Sequence, residues 1–525
     1  MVKNNFNEPN KTIIGEPADD FRVAIPDKAF QRYLIENNIK IVKGTAQYKQ
    51  IKNIEVINCC LSYERGFWEG GDSIKSFEGI SYFTGLTELH CEGHQLKSLD
   101  LRSNLKLRRL ICSANELISL DLSKNLELEE LDCSYNKLTS LDLSRNGWLE
   151  VLDCGENKLT TLELKKFTAL KILRCDENQL KSIDVRNIKL SFLSCRFNQL
   201  TSLDLTQTEL LNELHCSENE LTYLDLTQNR LLKYLSCERN KLTSLDISQN
   251  TLLSLLLCDD NQLTSLYVTK NTDLTNLSCY HNQLTSLDLK ENKKLRSLNC
   301  GRNEISEMDL TENFLLNELR CPTNQLKSLS LEHNHQIHYL NCSNNEIIDL
   351  FISDKNLTEL RCSNNQLRYL DIKQNSDLWK LYCNNNHLQV LDIKSLLRLH
   401  ILEIDNNYLR NLDVSHNINL RRLSCNENQL LSIQFFKKNV VISFLTNLKL
   451  TQLNKIIDRF YLNKIAKISK IEHLNCRRNK LTELDISLLS NLSNLDCSEN
   501  QLMSLNVSKY AKIKSLKTDE SVSVK

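Results

Sequence analysis

The chain runs to 525 residues yet holds only 11 glycines and 4 prolines, too few for several domains of helices and strands joined by ordinary turns. Lys plus Arg number 66 and Asp plus Glu 66, so the chain lacks the electrostatic footprint of a dedicated nucleic-acid binder. A hydrophobic content of 41% with 25% charged residues excludes a disordered chain, and no run of ~18 apolar residues offers a membrane span.

Residues 1–24 carry Asn, Glu and Asp where the apolar stretch of a secretory signal would sit. They are expected to form a flexible lead, and the protein to stay in the cytoplasm. Residues 25–85 read as an N-terminal cap. Pro26 and Asp27 open a helix, DKAFQRYLIENN, with Phe30, Tyr33 and Leu34 on one side, suited to cover the open core of a first coil. IKNIEVINCCLSYE (51–64) then reads as a degenerate coil, with Ile51, Ile54, Val56 and Leu61 inward and Cys59 in an asparagine position. RGFWEGGDS (65–73) breaks the pattern as a Gly-rich loop bearing Trp68.

From 86 to 439 one frame recurs, LxxLxCxxNxLxxLDLxxN, with a period of 21 residues. Cysteine marks it at 91, 112, 133, 154 and 175, then from 195 to 342, and at 362, 383 and 425; Ile404 replaces it once. Residues 440–470 hold a degraded coil, VISFLTNL, and an amphipathic segment, TQLNKIIDRFYLNKIAKIS. This segment is expected to be a helix lying on the core edge and shielding Leu474. Two clean repeats with Cys476 and Cys497 occupy 471–507, and a charged tail fills 508–525. In all there are nineteen repeats, eighteen with cysteine.

Such a period implies a solenoid, because one 21-residue coil cannot bury its own core. LxxLxC alternates as a short strand does, with the second Leu and the Cys inward; LDL reads as a second extended segment with both leucines inward. Three residues after each mark stands an asparagine: Asn115, Asn136, Asn157, Asn178, Asn198, Asn219, Asn240, Asn261, Asn282, Asn303, Asn324, Asn345, Asn365, Asn386, Asn407, Asn428, Asn479 and Asn500, with His94 the one substitute. A buried amide needs partners for its donors and its acceptor, and the neighbouring coil's backbone is expected to supply them as a ladder.

The segment LxxLxCxxNxL, repeated over roughly 51–507, resembles the leucine-rich repeat family. Its 21-residue form with Cys and LDL is similar to the short bacterial subclass called IRREKO-type. IPDKAFQRYLIENN with SFEGISYFTGLTEL resembles the N-terminal cap of Bacteroidetes repeat proteins. The resemblance implies a parallel-strand solenoid that recognises macromolecules, usually proteins, and no catalytic activity.

The repeat itself accounts for most of the reactive residues. Cysteines recurring at an inward strand position read as reduced core thiols, with a redox role or a metal site as the alternatives. The LDL aspartates read as Asx turns onto the following backbone, with a calcium ladder as the alternative. His333, His335 and His338 form the one dense histidine cluster and read as solvated turn residues. No P-loop, G-x-S-x-G, H-E-x-x-H or dinucleotide fingerprint occurs, so neither an enzyme nor a bound cofactor or metal is expected.

Recognition then falls to the outward residues of LxxLxC, which the resemblance places on the concave face. Core positions barely change between repeats while these columns vary. The candidate partner-binding residues are Arg320, Tyr339, Arg361, Lys380, Tyr382, Glu403 and Arg422, since Tyr and Arg combine large contact area with hydrogen bonding. The first five repeats are acidic instead, with Glu88, Glu92, Glu130, Asp132, Asp153 and Asp176 against Arg109 and Arg174, a charge suited to steering a partner. The reading is a monomeric, non-catalytic scaffold for a protein partner; the alternative is an exported, internalin-like effector or adhesin lacking a classical signal.

Overall fold

The computed structural model describes residues 16–64, 67–69, 73–352, 357–435, 469–507 and 512–525. They fall into two compact units, Met1–Thr251 and Leu252–Lys525. Each is a β-solenoid of short parallel strands. Helix is confined among the described residues to Lys28–Glu36, Tyr48–Ile51 and a single 3-10 turn at Ile80–Tyr82.

In the first unit nine parallel strands run in register from Val56–Asn58 through Glu88–His90 and Arg109–Ile111 to Tyr234–Ser236. In the second, twelve run from Leu255–Leu257 to Ser515–Lys517. Each strand is three residues long because side chains alternate: the central Leu or Ile points into the core and its neighbours point out. The frame's leucines and all eighteen repeat cysteines are buried, as is Ile404. All twenty cysteines are thiols, and burial pushes Cys342, for example, up to about 12. The LDL leucines are buried too, but these segments pair as strands in few places, such as Ser328–Ser330 with Asp349–Phe351.

The ladder asparagines hold coil to coil. Asn115 Nδ2 donates to the carbonyl of Cys91 in the preceding coil (2.9 Å) and to Cys112 and Ser113 in its own, while its Oδ1 accepts from the Leu96 N–H (3.0 Å). The same set recurs in the second unit, where Asn303 bonds Cys279, Cys300, Gly301 and Leu284. His94 fills this slot in its coil: Nε2 bonds the Cys59 carbonyl (2.8 Å) and Nδ1 accepts from Ile74 N–H (3.3 Å).

The residue before each asparagine is left-handed. Eighteen non-glycine residues take φ between 50 and 59° there, from Ala114 to Glu499. A second asparagine column, the last position of LDLxxN, is buried as well, as at Asn104, Asn125 and Asn146. Asn125 Nδ2 donates to Leu101 O (3.1 Å) and Asn104 O (2.9 Å) of the coil before it. The LDL aspartates cap their own turns, as when Asp121 Oδ1 accepts from the Ser123 N–H (3.0 Å).

Several boundaries differ from expectation. Within the supposed lead, Arg22–Ala24 is a strand paired with Thr45–Gln47, which buries Val23; residues 1–15 lie outside the described residues. The cap helix Lys28–Glu36 is capped by Asp27 Oδ1 on the Phe30 N–H (2.9 Å) and buries Phe30 and Leu34. The degenerate coil is shifted in register. Asn58 pairs with His90, so Cys59 lies in the cysteine column, Ile57 is inward and Val56 is 50% exposed. The physical cause is strand alternation, which puts VINC on ELHC. In the Gly-rich loop, Phe67–Glu69 pairs antiparallel with Ser62–Glu64.

At the far end the expected tail adds a strand, Ser515–Lys517, in register with Asn494–Asp496. The amphipathic segment 451–468 lies outside the described residues. Around it, Arg422–Ser424 pairs directly with His473–Asn475, and Leu474 stands in register between Leu423 and Leu495. Leu474 is buried between these two coils.

Candidate protein-binding surface

Two outward columns run side by side across the second unit. One holds Glu318, Tyr339, Glu359, Lys380, Ile401 and Arg422; the other holds Arg320, Asn341, Arg361, Tyr382, Glu403 and Ser424. All seven candidate residues lie on these columns. Tyr339, Arg361 and Tyr382 fall on three successive coils and span both columns, because Tyr339 flanks its strand's leucine on the other side. Two Arg–Tyr pairs form. The Arg320 guanidinium lies 4.9 Å from the Tyr339 ring centre, and Arg361 lies 4.5 Å from that of Tyr382.

Carboxylates hold these cations in place. Glu318 pairs with Arg320 (2.5 Å). Glu359 accepts from both Arg361 Nε (2.6 Å) and Lys380 Nζ (3.0 Å), and its side chain is 13% exposed. Burial alone would raise the Glu359 carboxyl, but the two cations outweigh it and hold it below the usual carboxylate range. Burial pushes the Tyr382 hydroxyl up. Glu403 pairs with Arg422 (3.1 Å) and accepts from Asn384 Nδ2 (3.4 Å). The candidate set omitted Glu318 and Glu359, although ELRC occurs at both 318–321 and 359–362 and places an acid two residues before each arginine. The whole patch is pre-organised by ion pairs rather than presented as free side chains.

In the first unit the acidic residues gather differently. Arg109 pairs with Glu130 (2.6 Å), and Asp132 stands in register beside Asp153. Burial lifts the Asp153 carboxyl to about 6; Asp132 and Asp176 add to the shift, and the Gly155 N–H opposes it.

No family model matches the chain, and no curated protein matches it by sequence. Among solved structures, the functional domain of InlJ from Listeria monocytogenes, described as including a cysteine ladder, is 30% identical. The match covers 78% of this chain and 82% of that one, with a TM-score of 0.59. YopM from Yersinia enterocolitica WA-314 is 25% identical over 84% of this chain and 91% of that one, with a TM-score of 0.65. The plant peptide hormone receptor RGFR1, solved in complex with RGF2, shares the fold alone at 15% identity, with a TM-score of 0.57 over 83% and 87% of the two chains.

Proposed function

Because the chain belongs to the leucine-rich repeat family, we propose that it is a non-catalytic scaffold that binds a protein partner through the strand face of its second unit. One observation carries this reading. Arg320, Tyr339, Arg361, Lys380 and Tyr382 form a continuous aromatic and cationic surface, braced by Glu318 and Glu359. Rigid Arg and Tyr side chains lose little entropy on docking, which is the property of residues that dominate interface energetics. Glu403 and Arg422 extend the surface, and the acidic strand face of the first unit steers the approach of a partner.

We place the protein in the cytoplasm as a monomer. Affinity capture of the full chain from its own cell extract, followed by mass spectrometry, identifies the partner. Alanine at Tyr339, Arg361 and Tyr382 together then weakens binding by more than ~2 kcal/mol without lowering the melting temperature. Unchanged affinity would move the site to the acidic face. Recovery of the chain from the culture medium would transfer it to the class of exported effectors and adhesins.

A further inference from the structure

At four successive coils of the second unit the left-handed residue two after the cysteine mark is an exposed asparagine: Asn344, Asn364, Asn385 and Asn406, with φ of 59, 57, 55 and 50°. Asparagine tolerates this conformation. It is not required by it, since Arg302, Thr323 and Glu427 hold φ of 50, 57 and 53° in the coils on either side.

The four side chains join head to tail. Asn364 Nδ2 donates to Asn344 Oδ1 (2.8 Å), Asn385 Nδ2 to Asn364 Oδ1 (2.5 Å), and Asn406 Nδ2 to Asn385 Oδ1 (2.9 Å). A primary amide has two N–H donors and a carbonyl with two lone pairs. Each inner amide of the row therefore keeps one donor and one acceptor for solvent, repeated at the strand spacing of about 4.8 Å.

The surroundings are close to neutral. Two residues further along the same turns, His387 and Tyr408 stack at 5.6 Å with 21° between their planes, and both are exposed. Of the nearby carboxylates, Asp405 is occupied by the Ser424 hydroxyl (2.7 Å) and the Asn426 N–H (2.9 Å), and Glu346 stands at the outer end of the row. Beyond the row the character changes: Arg478 pairs with Glu427 and Glu499.

We propose that this row is a binding site for a neutral, hydroxyl-rich glycan. A sugar hydroxyl donates and accepts at once, which matches an amide edge offering one of each at every step. The aromatic pair supplies an apolar surface for the sugar's C–H groups. The turns 342–346, 362–366, 383–387 and 404–408 hold no Lys or Arg to meet the phosphates of a nucleic acid, and they offer an ionic peptide little counter-charge. The site is separate from the protein-binding patch, so each stands or falls without the other.

Affinity electrophoresis of the full chain through gels containing laminarin, galactomannan or xyloglucan tests the proposal, with heparin and gelatin as the charged and polypeptide controls. At least one neutral polysaccharide retards the chain, and raising the salt to ~0.5 M leaves that retardation in place. The double variant Asn364→Gly, Asn385→Gly loses about tenfold in affinity. Glycine keeps the left-handed backbone without strain, so an unaltered melting curve assigns the loss to the amides. Tyr382→Ala binds as the parent does. Retardation by none of the three, by heparin or gelatin alone, or equal binding by the glycine variant overturns the proposal.

Discussion

Asn303 shows what one side chain does in each coil: it is the partner of one buried N–H and shares three buried carbonyls with its neighbours. Asn303→Ala strands the Leu284 N–H and removes one of the bonds at each of the Cys279, Cys300 and Gly301 carbonyls, which keep Asn282 Nδ2, Asn324 Nδ2 and the His281 N–H. The expected loss is about 1–3 kcal/mol. Exposed Asn276, whose Oδ1 meets only the neighbouring Thr275 hydroxyl, costs less than ~0.5 kcal/mol as alanine. Urea titration of both variants distinguishes them, and equal losses would refute the ladder's role. These asparagines were legible because their spacing from cysteine never varies. The second column was equally visible in LDLxxN, but an asparagine beside a turn reads as a turn residue until its buried partners are seen. His94 was legible only as an exception. Burial holds its imidazole below the ordinary 6.5, against the Cys59 carbonyl and Asp27, which favour the charged form. The folded state thus binds its proton less readily than the unfolded one. Stability from this group is whole above pH 6.5, falls as pH drops through the lowered folded value, and then levels off. His94→Asn, which retains the ladder slot, flattens that slope between about pH 7 and 5 in denaturant melts, while the steeper acid loss below pH ~4 from the capping aspartates remains.

At the scale of elements, the break between Cys425 and Cys476 is an insertion into an unbroken stack. Hydrogen bonds cross it as at any other junction: Cys425 N–H to Asn475 O (2.8 Å), Asn479 Nδ2 to Cys425 O (3.0 Å) and Lys480 N–H to Leu430 O (3.0 Å). The spacing of 51 residues exceeds the 21-residue period by 30. Deleting 436–465 therefore restores the period. The shortened chain is expected to remain monomeric by size exclusion and within ~0.5 kcal/mol of the parent; aggregation would show that the segment packs on the core after all. Sequence periodicity located this break; the helix expected on the core edge lies outside the described residues, and pattern reports amphipathicity, not what the apolar side faces. The register of the first coil slipped for a related reason. IEVINC offers two alternating sets, Ile54 with Val56 or Ile57 with Cys59, and the cross-strand pairing with ELHC selects the second. The partner surface was legible column by column, whereas its pairing into two Arg–Tyr units depended on which side of the leucine each residue takes.

For the molecule as a whole, the ladder has a direction. Within each unit the ladder amides reach back to a coil earlier in the chain, in the first as Asn219 to Cys195 and in the second as Asn365 to Cys342. A coil's buried amide is thus complete once it settles on its predecessor and waits for nothing that follows. The first such foundation is the cap itself, whose Cys59 carbonyl receives His94 and whose Tyr33 hydroxyl accepts from the Asn58 N–H (2.9 Å) at the edge of the sheet. The order in which the ribosome releases the chain is therefore also the order in which its bonds are satisfied, so synthesis and folding advance together. Ribosome-bound chains of increasing length should gain protease resistance one coil at a time, up to the last coil clear of the exit tunnel. Resistance appearing only at full length would mean that the coils wait for one another and that the direction built into the ladder sets no order of assembly.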